Sequence, residues 1–166
     1  MKHIIWITVN GLFLLITTIY IWFFRSPETA LVGTGILLGQ LAMILFLINV
    51  NMYFIFLVIK KSPKRTVKVT LAQISKRMMK SHISIAVAGT TIILIHASIM
   101  LVQLGPVLGF LHPKFLSGYS AIFLLSLTLI GGYRRYRKAS GFRRKFHLSM
   151  ALVFAALFTI HLFLPL

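Results

Sequence analysis

Apolar residues gather along the chain into five long runs, separated by short polar stretches. The runs cover about residues 4–24, 30–59, 81–103, 115–132 and 146–164. A helix rises about 1.5 Å per residue and the hydrocarbon core of a bilayer is about 30 Å thick, so each run predicts one membrane span. The first, Ile4 to Phe24, is longer than the apolar core of a signal peptide and has no small-residue cleavage site, so it reads as an uncleaved span. The second contains Gly33, Gly35 and Gly39. Its Gly35–Gly39 step leaves a notch through which another helix can approach closely. The expected fold is all-α: a single transmembrane domain over residues 1–166, built as a five-helix bundle.

The polar stretches differ in kind. Residues 60–80 hold eight basic side chains, among them Lys60, Lys61, Lys64, Arg65, Arg77 and Lys80. Val67, Val69, Leu71 and Ile74 lie between these charges, which predicts a short interfacial helix ahead of the third span. Residues 104–114 carry Gly105, Pro106, Gly109, His112, Pro113 and Lys114, the chemistry of a loop. Residues 133–145 add seven more basic side chains. The loops after spans two and four thus hold fifteen of the eighteen Lys+Arg, and Lys2 falls on the same side. Arg25 and Lys114 fall opposite. Basic loops stay on the cytoplasmic side, so the amino terminus is expected inside and the carboxyl terminus outside, in the cytoplasmic membrane of a bacterial cell.

Composition narrows the function. Hydrophobic residues make up 58% of the 166, and Glu28 is the one acid. A charge of +17 often signals nucleic acid, but charge confined to two loops between apolar runs is a membrane pattern, and the lipid bilayer is the expected partner. There is no cysteine, which excludes disulfides, thiolate metal sites, iron–sulfur clusters and covalent haem attachment. No G-x-G-x-x-G or P-loop occurs, so a flavin is expected only on a partner protein.

Chemistry concentrates in the third and fifth runs. His82 and His96 bracket one, and His147 and His161 bracket the other. Thirteen residues separate the histidines of each pair. A fourteen-residue step turns a helix by about 1400°, within about 40° of its starting face, and rises about 21 Å. Each run would then show two imidazoles on one face, near opposite sides of the membrane. The predicted topology makes the two helices parallel, which sets His82 level with His147 and His96 level with His161. A bland reading has each histidine hydrogen-bonded to a nearby group such as Ser84, Thr90, Thr91, Ser98 or Ser149. Equal spacing on parallel helices favours a shared task instead, because ionisable groups in spans are costly unless used. Zinc or copper wants three or four ligands at one point, whereas each level supplies two. Two axial imidazoles with a porphyrin in the equatorial plane fit that count, giving two haem b groups.

Halfway between the histidines stand Gly89 and Phe154. A seven-residue step returns to within about 20° of the same face. Phe154 would separate the two haem planes, with Gly89 making room; ordinary packing of large against small residues explains the pair equally well. Asn10, Gln40, Asn49 and Asn51 read as interhelical hydrogen-bonding groups. Lys80, Arg144 and Lys145 flank the inner histidines, where they suit haem propionates as well as the positive-inside pattern.

The two H-x13-H helices resemble the ferric-reductase-like transmembrane domain superfamily, the haem b core of ferric reductases, NADPH oxidases and the bacterial methionine sulfoxide reductase haem subunit. The specific resemblance is carried by His82, His96, His147 and His161. It implies an oxidoreductase, or its electron-transfer subunit, passing electrons from an inner donor to an outer acceptor. The donor would be a cytoplasmic flavoprotein reductase or a membrane quinol. Members typically have six spans; with five, and His161 five residues from the last one, this chain is expected to gain cover from an additional membrane subunit or a homo-oligomer. The cytochrome b subunits of quinol-oxidising complexes also carry two such helices, though usually the second and fourth of a longer chain. They give the alternative of a quinone-reactive cytochrome b subunit or a haem-binding membrane anchor.

Overall fold

The structure, a computed structural model, describes residues 2–24 and 27–165. Arg25, one of the two charges expected outside, lies beyond the described residues. Five helices follow in order: α1 (Lys2–Phe24), α2 (Ala30–Lys61), α3 (Arg65–Leu108), α4 (Pro113–Arg137) and α5 (Gly141–Phe163). Four of them, α2 to α5, are long and apolar enough to cross a membrane. In α1 the apolar stretch covers Thr8–Phe23.

The helix ends follow from local chemistry. Thr29 caps α2, its hydroxyl accepting from the Val32 N–H at 3.2 Å. Lys60 and Lys61 close that helix, where cations suit the negative end of its dipole. Ser62 is extended (φ −74°, ψ 131°), the conformation that Pro63 imposes on its predecessor. Ser140 caps α5 through Arg143 N–H at 3.2 Å. Between α4 and α5, the Arg143 guanidinium donates from Nη1 to the carbonyls of Arg134 (3.1 Å) and Lys138 (3.0 Å), closing the turn.

Two expectations need correction. The interfacial helix predicted around residues 67–74 does not exist as a separate element: α3 is continuous for 44 residues from Arg65. Nothing breaks the backbone there, since the change near Lys80 is one of solvation and not of propensity. The loop expected over 104–114 is also shorter. Gly105 and Pro106 are helical, and the helix ends at Gly109, whose φ of +83° is the left-handed conformation glycine adopts freely. The Gly109 N–H returns to Gly105 O at 2.9 Å. Pro106 removes only one late hydrogen bond, so the last turn survives it.

The chain divides into two compact units, residues 1–103 and 104–166. Within the first, Asn51 Nδ2 donates to Asn10 Oδ1 at 2.9 Å, tying α2 to α1. The Gly35–Gly39 notch admits α3: a Cβ on Gly35 would stand 2.8 Å from Met100 Sδ and 3.2 Å from Ile99 Cγ2. Within the second unit, α4 and α5 pack as an antiparallel hairpin joined at Lys138–Ser140.

Candidate functional site

Each unit carries one pair of the predicted histidines, and in each the helix immediately before the histidine helix holds them. In the first unit the support is α2. His96 Nδ1–H donates to the carbonyl of Gly35 at 2.6 Å. Its ring lies on Gly39, where a Cβ would come within 3.0 Å of both Cε1 and Nδ1. The two glycines are four apart for a physical reason. A helical carbonyl at position i−4 points toward residue i, whose side chain normally screens it. Glycine at i uncovers it, and its second lone pair becomes available to a ring.

The same construction recurs in the second unit. His147 Nδ1–H donates to Thr128 O at 2.9 Å, and its ring lies on Gly132, four residues on, 3.2 Å from where a Cβ would stand. His161 lies on Gly118, with Cε1 3.3 Å from the corresponding Cβ position. Here the partner is the Ser117 hydroxyl, 2.9 Å from His161 Nδ1. Ser117 Oγ also lies 2.8 Å from Lys114 O: with its proton on that carbonyl it accepts from the His161 ring, and with its proton on the ring it donates. His82 has no glycine beneath it. Asn49 grips it instead: Oδ1 lies 3.2 Å from His82 Nδ1, while Nδ2 donates to the His82 carbonyl at 3.4 Å.

Three of these arrangements give one chemical result. A carbonyl or an amide oxygen can only accept, so the proton of neutral His82, His96 and His147 sits on Nδ1. The lone pair is then on Nε2, the nitrogen that carries a metal bond when the other nitrogen is held in this way. His112 shows the contrast. As N-cap of α4 its Nδ1 accepts from the Lys114 N–H at 3.3 Å, so its lone pair is spent at Nδ1 on the backbone.

The midpoint residues are both buried. Gly89 lies against Phe46 and Leu45 of α2: a Cβ there would meet Phe46 Cε1 at 3.3 Å. Phe154 packs along its own helix against Phe158, ring centroids 5.7 Å apart. Among the described residues no three His, Cys, Asp or Glu side chains converge on one point, so the histidines form no three- or four-ligand centre there. For haem the donor set fits: imidazoles held at Nδ1, each pressed into a glycine notch or gripped by an amide.

Two features escaped the sequence reading. Asn49 is more than an interhelical link, because it orients His82. Lys114, read as a loop charge, is 6% exposed, and its Nζ donates to the carbonyls of His161, Leu162 and Leu164 at the end of α5. A signal for the first notch existed in the Gly35–Gly39 spacing; Thr128–Gly132 and Lys114–Gly118 repeat that four-residue step without two glycines to mark it. Gln40, next to Gly39, has a buried amide nitrogen with no hydrogen-bond partner among the described residues.

No known family, no curated protein and no solved structure matches this chain. The reading of the site therefore rests on the residues themselves.

Proposed function

We propose that this protein is a di-haem b-type cytochrome that carries electrons across the cytoplasmic membrane, with His82 and His147 serving one haem and His96 and His161 the other. The observation that carries the proposal is the shared point of attachment: four histidines at two equal spacings, each held at Nδ1 by its neighbouring helix. Interhelical hydrogen bonding alone would be served as well by either ring nitrogen. Four uniform choices are what ligation through Nε2 requires. The assignment of levels rests on the fourteen-residue steps, and the orientation rests on the basic loops.

When bound, haem supplies one-electron chemistry at its iron, and the protein supplies binding, orientation and electrostatics. His82, His96, His147 and His161 would hold haem through Nε2. Glycines seat three of the rings against neighbouring backbone, so little ordering would remain on binding. Acceptors at Nδ1 would raise imidazole basicity and so lower the potential of a bound iron. Arg144 and Lys145, and Lys80 on α3, would face anionic propionates on the inner side. The donor is then a flavoprotein reductase or a membrane quinol, and the activity is that of an oxidoreductase or its electron-transfer subunit, with a ferric-reductase-like core. Cover for the outer haem would come from a further membrane subunit or a second copy. A quinone-reactive cytochrome b subunit is the second reading, favoured by Gln40: a quinone carbonyl is the acceptor its buried amide lacks.

The test is the oxidised and dithionite-reduced spectrum of the purified protein, with a haem count per chain. Two low-spin b haems, falling to one in His96→Ala, are expected. Protein made with ample haem and showing no Soret band would sink the proposal and leave a membrane anchor.

A further inference from the structure

Lys114 and His161 touch at more than one place. The lysine's ammonium lies on the His161 carbonyl, with Leu164 O at 2.7 Å and Leu162 O at 3.5 Å. An ammonium has three donors and no acceptor, so three carbonyls suit it. Two of these, His161 O and Leu162 O, belong to the last turn of α5, whose carbonyls have no partner within the helix. The main-chain carbonyl of residue 114 lies 2.8 Å from Ser117 Oγ, which in turn lies 2.9 Å from the His161 ring. The histidine is therefore held at two ends, its main chain by the Lys114 ammonium and its ring by the Ser117 hydroxyl. His82 is likewise held at both ring and main chain, by the Asn49 amide.

We infer that Lys114 is the positioning residue of His161: its ammonium sets where α5 ends and so holds the turn that carries the ring. Burying a lysine to 6% exposure is costly unless it is fully partnered, and the partners here are the atoms that fix this one ring. The burial of the charge is explained by that task. The inference rests on the haem reading only for its spectroscopic arm, since the clamp is made by the chain alone.

The experiment compares the full-length protein with Lys114→Met, Lys114→Arg and Ser117→Ala, in detergent, by two readouts. The first is amide hydrogen exchange of residues 160–164, which needs no haem. Lys114→Met should speed it about tenfold or more, the loss expected for charge-assisted hydrogen bonds. Lys114→Arg should recover most of the protection, and Ser117→Ala should leave it unchanged. The second is carbon monoxide binding to the dithionite-reduced protein, which a haem held by two histidines resists. Lys114→Met and Ser117→Ala should each open one haem of the two, and Lys114→Arg neither. Unchanged exchange in Lys114→Met overturns the inference. Changed exchange in a protein that binds no haem retains the clamp and removes the haem reading. Should Lys114→Met fail to fold, amide exchange in Lys114→Gln decides: faster exchange at residues 160–164 supports the clamp, and unchanged exchange overturns it.

Discussion

The two units hold their histidines by the same rule but with different materials. In residues 1–103 the support helix α2 offers a side-chain amide to His82 and a main-chain carbonyl to His96. In residues 104–166 the support helix α4 offers a main-chain carbonyl to His147 and a hydroxyl to His161. Each unit thus has one ring on a backbone atom over a glycine and one on a side chain. The main-chain holds cannot be removed by substitution, only blocked by filling the notch beneath the ring. The side-chain holds can be deleted outright. Over Gly39 and Gly132 the uncovered main-chain carbonyl serves and no further side chain is used, whereas over Gly118 a serine hydroxyl still holds the ring. Where the geometry lacks a glycine, as at His82, an asparagine is required.

On the proposed di-haem function, this contrast orders the expected effects of mutation. The largest should come from filling the notches. Gly39→Val and Gly132→Val place branched side chains where even a Cβ would stand 3.0 Å or 3.2 Å from an imidazole, and each should cost one of the two haems on a haemochrome assay. Overpacking of this sort typically costs about 1–3 kcal/mol. Retention of both haems in either variant would show that the ring position is not tied to its glycine. Next comes Asn49→Leu, which leaves the His82 N–H without its acceptor at a cost of about 1–3 kcal/mol. One haem potential should rise, because the imidazole becomes a weaker donor, and Asn49→Asp should lower it. A redox titration resolves the two, and equal potentials in both variants would separate Asn49 from the site. A smaller effect is expected from Asn10→Ala, which cuts the α1–α2 hydrogen bond and should reduce stability by about 0.6 kcal/mol with the spectrum unchanged. The smallest belongs to Thr128→Val. His147 uses that residue's carbonyl and not its hydroxyl, which is bonded to Leu124 O, so both potentials should stay as they are.

The sequence showed the four long apolar helices because hydropathy over twenty residues is a sum over many side chains. It showed the four histidines because their spacing is periodic. It did not show what holds them. An acceptor that is a carbonyl has no letter in the sequence, and Gly118 and Gly132 look no different there from Gly109, which ends a helix. The misplaced break before the third span has a similar origin. Lys76, Arg77 and Lys80 change the solvent that α3 can tolerate, not its backbone, and a hydropathy trace cannot separate the two. Lys114 was hidden by its neighbours: among Gly, Pro and His it reads as a loop cation, while its carbon stem is buried and its charge is spent on α5.

The unbroken length of α3 also makes it a ruler. Its basic first third and both histidines share one rigid register, so a residue inserted after Lys80 would turn His82 and His96 together by about 100° against the charged segment and shift them about 1.5 Å along the axis. The same residue inserted between the histidines would turn one imidazole against the other. Seven residues added there would nearly restore the angle but lengthen the step by about 10 Å. Angle and distance thus have no common repair, and drift in the length of this helix between Lys80 and His96 would be tolerated far less than drift in its composition.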